Sequence, residues 1–253
     1  DLLSTNPYKK IIIQTIAILI LIYGAGIQID SMHGVLGVYK LPHIIATLFT
    51  IFVVVVIINC VNLIDGVDGL AAGLGAISAI GFGIVGILMH QYDIAILAFS
   101  LTGSLLAFLK YNFNPAKIFM GDTGSLLIGL ILSLLAINSV CEGVIINTIT
   151  RPNKGPLVAI VFLAIPLFDS LRVFIARVLK GKHPFHPGRD HIHHALLDLG
   201  IGHKYTSITL YTIALLFIIF SYFLLNININ SGIAILAGIV FIVLLIPFYL
   251  SKK

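Results

Sequence analysis

Charge is scarce in this sequence. Of its 253 residues only 10% are Asp, Glu, Lys or Arg, while 59% are hydrophobic and the mean hydropathy is +1.11. Soluble domains carry about 25% charged residues, so a soluble fold is excluded. Cysteine is scarce too. Cys60 and Cys141 are the only two, which excludes a disulfide framework, and Cys60 reads as packing. A signal-peptide pattern is lacking, and the chain opens on Asp1 one short polar stretch before an apolar segment. We therefore expect a longer parent chain. No convincing internal repeat is present, which withholds support from an inverted-repeat transporter.

Long apolar stretches are abundant. They fall near 11–29, 43–61, 70–89, 93–109, 123–141, 156–179, 206–225 and 232–250, each close to the roughly 17–25 residues that span a bilayer. Interruptions by Gly, Ser and Thr suit close helix packing. The expectation is an all-α polytopic membrane protein, a single integral-membrane domain over 1–253 with about eight transmembrane helices. Placing both termini in the cytoplasm puts twelve of the fifteen basic residues inside; only Lys40, Arg151 and Lys154 fall outside. That bias follows the positive-inside rule. The net charge of +5 then needs no nucleic acid, because an anionic leaflet and cytoplasmic phosphates account for it.

The outer loops are chemically plain, and the dense polar chemistry falls on the inner side. Residues 59–73 read NCVNLIDGVDGLAAG. Asn59, Asn62, Asp65 and Asp68 recur every third residue, which on a helix makes one drifting stripe of oxygen ligands. Gly66, Gly69 and Gly73 leave room for a ligand at the backbone. Ionisable groups at a membrane edge point to function. In KYNFNPAKIFMGDTGS, Asn112, Asn114 and Pro115 mark a turn and Asp122 can cap the following helix. Alternatively Asp122 is a hard oxygen ligand for Mg2+ at a helix N-terminus, with the N–H groups of Thr123, Gly124 and Ser125 open to phosphate. Phe119 then either stacks on a base or anchors the loop in the interface.

Residues 181–205 form a His-rich loop holding His183, His186, His191, His193, His194 and His203. Zinc is disfavoured, since no thiol and few carboxylates accompany these rings. A solvated loop is one reading. The other has imidazoles binding a diphosphate or relaying protons, with Arg189 and Lys182 as fixed charge. Asp169 and Arg172 are spaced for an ion pair. Together the parts suggest Mg2+-assisted phosphoryl transfer to a lipid. A proton- or ion-coupled transporter and a scaffolding role stand as alternatives.

NCVNLIDGVDGLAAG, FNPAKIFMGDTGS and HPFHPGRDHIHHALLDLG resemble, in order, the motifs of the polyprenyl-phosphate N-acetylhexosamine-1-phosphate transferases. The His-Ile-His-His form is similar to the bacterial branch that uses UDP-N-acetylglucosamine. The resemblance implies attack of undecaprenyl phosphate on a UDP-sugar, giving undecaprenyl-diphospho-sugar and UMP at the bacterial cytoplasmic membrane. It implies Asn62 and Asp122 as ligands of Mg2+, or Mn2+ in its place, with Asp65 and Asp68 along the nucleotide and metal site. Asn112 and Phe119 would hold the uridine, and His193 with His191, His194 and Arg189 would contact the phosphates. Gly188 and the loop around it would help to choose the sugar. The family carries an Asp-Asp pair that places the lipid phosphate; here Asp1 stands at its second position, and about three preceding helices are expected upstream. Large apolar helix faces allow a homodimer.

Overall fold

The computed structural model describes residues 7–146, 149–181 and 188–250. Lipid offers backbone N–H and C=O groups no partners, so an apolar chain satisfies them within helices. The helices are α1 Pro7–Ala25, α2 His43–Leu63, α3 Leu70–Leu88, α4 Tyr92–Asn112, α5 Gly121–Glu142, α6 Gly155–Phe162, α7 Ala164–Leu179, α8 Ile192–Asp198, α9 His203–Leu224 and α10 Ile229–Leu250. Among the described residues six of them, α2 to α5, α9 and α10, are long and apolar enough to cross a membrane. The pair α6 and α7 makes a seventh span if counted as one, and α1 is a further 19-residue helix over the first expected segment. The chain is a multi-pass, all-α membrane protein.

The expected span over 156–179 is not one straight helix. Its two halves meet at 79°, and Pro166 supplies the reason. A continuous helix needs residue 166 to donate to the Phe162 carbonyl, and proline has no N–H. The freed carbonyl accepts instead from the Ser78 hydroxyl of α3 at 2.5 Å. The ladder resumes at Leu167, which donates to Leu163 at 3.1 Å. The break thus turns α7 away from α6 and docks it beside α2 and α10.

Small residues set the packing of α3. The Phe99 ring of α4 lies so near Gly83 that an added Cβ would sit 2.9 Å from it, the close approach that glycine permits between spans. Leu70, Leu157, Leu210, Leu236 and Leu244 are fully buried where α3, α6, α9 and α10 meet. Large apolar side chains such as Ile44, Leu48 and Phe52 on α2, or Ile219 and Phe223 on α9, face outward, as lipid-facing surfaces do.

Two short hairpins stand in segments that were expected to be plain loops. β1 Ser31–Val35 pairs with β2 Val38–Lys40, and β3 Val144–Ile146 with β4 Ile149–Arg151, both antiparallel. Asn230, at the start of α10, clasps the first hairpin by accepting from Leu36 N at 2.7 Å and donating to the Gly34 carbonyl at 3.1 Å. Lys154 and Arg151 donate to the carbonyls of Ile227 and Leu225 just beyond α9. Cations suit the negative end of a helix dipole. These contacts close the end of the bundle opposite the acidic motifs.

Candidate active site

The stripe expected along one helix is broken in the structure. α2 stops at Leu63, and residues 64–69 form a turn into α3, so only Asn59 and Asn62 are helical. Gly69 is the reason for the turn: its φ of +77 is a left-handed conformation that favours glycine. Asp65 and Asp68 therefore project from a tight turn. Asn59 faces α1, donating to Gln14 Oε1 at 3.2 Å. Asn62 faces α5, donating to Asp122 Oδ1 at 3.1 Å and to Ser125 Oγ at 2.7 Å.

Asp122 does not cap α5. The helix begins one residue earlier, at Gly121, and its cap residue is Met120 with no side-chain bond. Asp122 sits in the first helical turn, where an acidic residue meets the positive end of the dipole, worth about 0.3–1 kcal/mol. Its carboxylate reaches sideways to Asn62 and forms an ion pair with Lys10 of α1. Three helices thus converge on one carboxylate.

Asn62, Asp65, Asp68, Asn112, Phe119, Asp122 and His203 line one open cleft of about 400 Å³. The Asp68 carboxylate is held by Asn114 Nδ2 at 2.8 Å and Ala116 N at 3.2 Å, with His203 Nδ1 at 3.6 Å. Burial acts to raise its pKa, but these donors and His203 outweigh it and hold the carboxyl below the usual range. Asn112 is buried; it accepts from Gly69 N at 3.1 Å and donates to the Ile118 carbonyl at 2.9 Å. It therefore ties the acidic turn to the 113–120 loop, which turns at a cis Asn114–Pro115 bond. Phe119 is 80% exposed at the cleft.

Asp65 is the unsatisfied member. Among the described residues no side chain hydrogen-bonds its carboxylate. Burial first, and the Asp122 charge second, push its pKa up to about 6. Asp65 and Asp122, beside the Asn62 amide oxygen, are a hard-oxygen donor set in which Lys10 pairs with Asp122 and Asp65 has no cation partner among the described residues. That set fits a divalent cation such as Mg2+. Among the described residues no three His, Cys, Asp or Glu side chains could hold a metal by themselves, so substrate oxygens would have to complete the shell. A second cavity, of about 250 Å³ between α2, α5 and α6, is lined almost wholly by apolar side chains and lies apart from these groups.

The histidines stand behind the turn. His191, His193 and His194 are not among the described residues lining the cleft. His193 is 1% exposed, and a Cβ added to Gly66 would lie 2.5 Å from its Nε2. Burial first and His194 second push His193 down to about 3, so its ring is neutral at neutral pH. His194 is also lowered, by burial and then by Arg189. Arg189 is exposed and pairs with Asp198 at 3.4 Å. Part of the expected loop is helical, as α8. Asp169 and Arg172 form the expected ion pair at 2.7 Å. Asp1, His183 and His186 lie outside the described residues.

Four site residues escaped sequence reasoning in these roles. Lys10 meets Asp122 from 112 positions away. Asn114, noted only for a turn, holds Asp68. Tyr211 donates to the Gly69 carbonyl and Ser207 to that of Asp68, pinning the turn to α9. Only Lys10 left a signal, a cation four residues before Gln14 on the helix face that meets α2.

The model of glycosyl transferase family 4 matches residues 1–140. The chain is 38% identical over 214 residues to the undecaprenyl-phosphate alpha-N-acetylglucosaminyl 1-phosphate transferase of Haemophilus influenzae, covering 79% of this chain and 56% of that protein. The protein of the same name from Pasteurella multocida is 36% identical over 208 residues, with the same coverage of 79% and 56%. A decaprenyl-phosphate N-acetylglucosaminephosphotransferase of Mycobacterium leprae is 35% identical over 153 residues, 56% of this chain and 38% of that protein. The chain therefore spans at most 56% of the length of these relatives.

Proposed function

This chain belongs to glycosyl transferase family 4, and we propose that it serves the transfer of N-acetylhexosamine 1-phosphate, foremost N-acetylglucosamine 1-phosphate, from a UDP-sugar to undecaprenyl phosphate. The site would face the cytoplasm at the bacterial inner membrane, in the first membrane step of cell-envelope glycan synthesis. In this reaction a lipid phosphate oxygen bonds to the β-phosphorus. The bond from that phosphorus to the bridging oxygen breaks, and UMP leaves with the oxygen.

One observation carries the reading: Asn62, Asp65 and Asp122 converge beside Lys10 in a cleft with an exposed Phe119. Asn62 and Asp122, with Asp65 close by, would hold Mg2+, or Mn2+ in its place, which when bound neutralises a diphosphate. Asn62 fixes the Asp122 carboxylate through its amide. Lys10 brings a positive charge to the same place, suited to phosphate oxygens. Phe119 offers a face for uracil. Asp68, held by Asn114 and Ala116, keeps the turn and the 113–120 loop in register. Asp1 would place the lipid phosphate.

The test is exchange of radiolabelled UMP into UDP-N-acetylglucosamine by the full-length protein with Mg2+ and undecaprenyl phosphate. Exchange that Asp122→Asn abolishes supports the reading. No exchange in the wild type, or exchange indifferent to that substitution, sinks it.

A further inference from the structure

The His-rich segment is held by a carboxylate to which the proposed transfer assigns no part. Asp169 on α7 is 1% exposed, and both of its oxygens are engaged. Oδ2 accepts from His191 Nδ1 at 2.8 Å. Oδ1 accepts from the Ile192 backbone N–H at 3.0 Å and from Arg172 at 2.7 Å. Arg172 also donates to the Asp190 carbonyl, and its guanidinium lies 3.9 Å from the centre of the Phe248 ring. Arg177 binds the Asp190 carboxylate at 3.0 Å. The limb of the broken helix beyond Pro166 is thus the platform on which residues 190–192 rest.

Charge balance for a buried Arg172 explains only part of this. It accounts for Oδ1. It does not account for Oδ2, whose partner is a histidine ring. Nor does it account for the capture of the first N–H of α8, a helix whose own cap residue, His191, makes no side-chain cap bond. A carboxylate at Nδ1 requires the proton to be there, which orients the imidazole and leaves Nε2 as the other face. The ring so oriented stacks on His193, with centroids 5.7 Å and planes 4° apart. His193 in turn presses its Nε2 edge against Gly66, the residue after Asp65. The contacts run without a gap from Asp169 to the acidic turn.

We infer that Asp169 is a positioning residue for the transfer: through His191 it orients the His191–His193 stack, and so sets where the turn carrying Asp65 stands in the cleft. The inference rests on the proposed reaction. It adds a role for the α6–α7 break, because a straight helix would direct Asp169 elsewhere.

The test uses the full-length protein, with UMP release from UDP-N-acetylglucosamine measured alongside melting in detergent. In Asp169→Asn the amide oxygen can keep Ile192 and Arg172, but its NH2 then faces His191 Nδ1 and demands the opposite tautomer. The expected result is a fall in kcat of roughly 10–100-fold, the usual effect of removing a group that orients a functional histidine. KM for the UDP-sugar should stay within about threefold. The melting temperature should fall, because the buried Arg172 loses its counter-charge, with the variant still folded at the assay temperature, whereas His191→Gln keeps that pair and should melt as the wild type does. His191→Gln should lose a similar factor, and the double variant should be no worse than the poorer single variant, since both act through one contact. A kcat for Asp169→Asn within about twofold of wild type overturns the inference. So do losses that multiply in the double variant, or an activity loss that follows unfolding. A wild type without activity tells against the proposed reaction, whereas an active wild type with an indifferent Asp169 tells against this inference alone.

Discussion

Asn62 Nδ2 lies 3.1 Å from Asp122 Oδ1 and 2.7 Å from Ser125 Oγ, so one amide on α2 spans the first turn of α5. With both N–H groups of Asn62 directed at α5, its carbonyl oxygen is left for the cleft. Asp122 is thereby held without losing its charge.

From this follows a metal prediction. EDTA should abolish UMP exchange. Asn62→Ala should raise the Mg2+ concentration for half-maximal rate by roughly 10–100-fold, as loss of an orienting partner does at metal sites. A Mg2+ dependence that the substitution leaves unchanged would remove Asn62 from the metal site.

The pH dependence should carry an acid limb from Asp65. Its folded pKa of about 6 lies above the ordinary 3.8, so the folded protein holds this proton more tightly than the unfolded chain does. Its contribution to stability is therefore largest at low pH and declines as pH rises from about 4 through about 6. Cation binding needs the ionised form, so without saturating metal the rate should fall as pH drops through about 6. A pH–rate profile checks this, and Asp65→Asn should remove the limb along with most of the activity.

Phe119 separates binding from folding. Because the ring is 80% exposed, Phe119→Ala should leave the melting temperature unchanged. It should weaken UMP binding by about 1–3 kcal/mol, the worth of one base–aromatic stack. Calorimetric titration with UMP reads this directly, and unaltered affinity would leave Phe119 as an interface anchor.

Gly73 reports on the α9 clamp. A Cβ there would lie 2.1 Å from the Tyr211 hydroxyl, the group that donates to the Gly69 carbonyl. Gly73→Ala should destabilise by about 1–3 kcal/mol through overpacking, and Tyr211→Phe by about 1 kcal/mol through the lost hydrogen bond. Thermal melts in detergent distinguish the two.

Much of the site was legible because polar residues stand out in an apolar chain. Asn62, Asp65, Asp68 and Asp122 carry chemistry that a membrane discourages, Asn112 marks a turn, Phe119 offers a stacking ring or an interface anchor, and all six line one cleft. Their local settings were less legible. A three-residue spacing cannot tell a helix from a helix followed by a turn, and here Gly69 made the turn. The break at Pro166 went unread because an apolar segment with one proline has the same composition whether straight or bent. The hairpins and α8 are too short to leave a periodic signal.

Composition and motif order by themselves determined the multi-pass helical class and the residue types available for phosphoryl transfer, since both follow from which side chains lipid and phosphate accept. Pairing was decided only by the tertiary structure. Lys10 on Asp122 and Asp169 on His191 join positions far apart in the chain, and such partners are chosen by how helices cross and where one bends. The physical reason is that solvation preference is a property of each residue, whereas a hydrogen bond belongs to two residues brought together by packing.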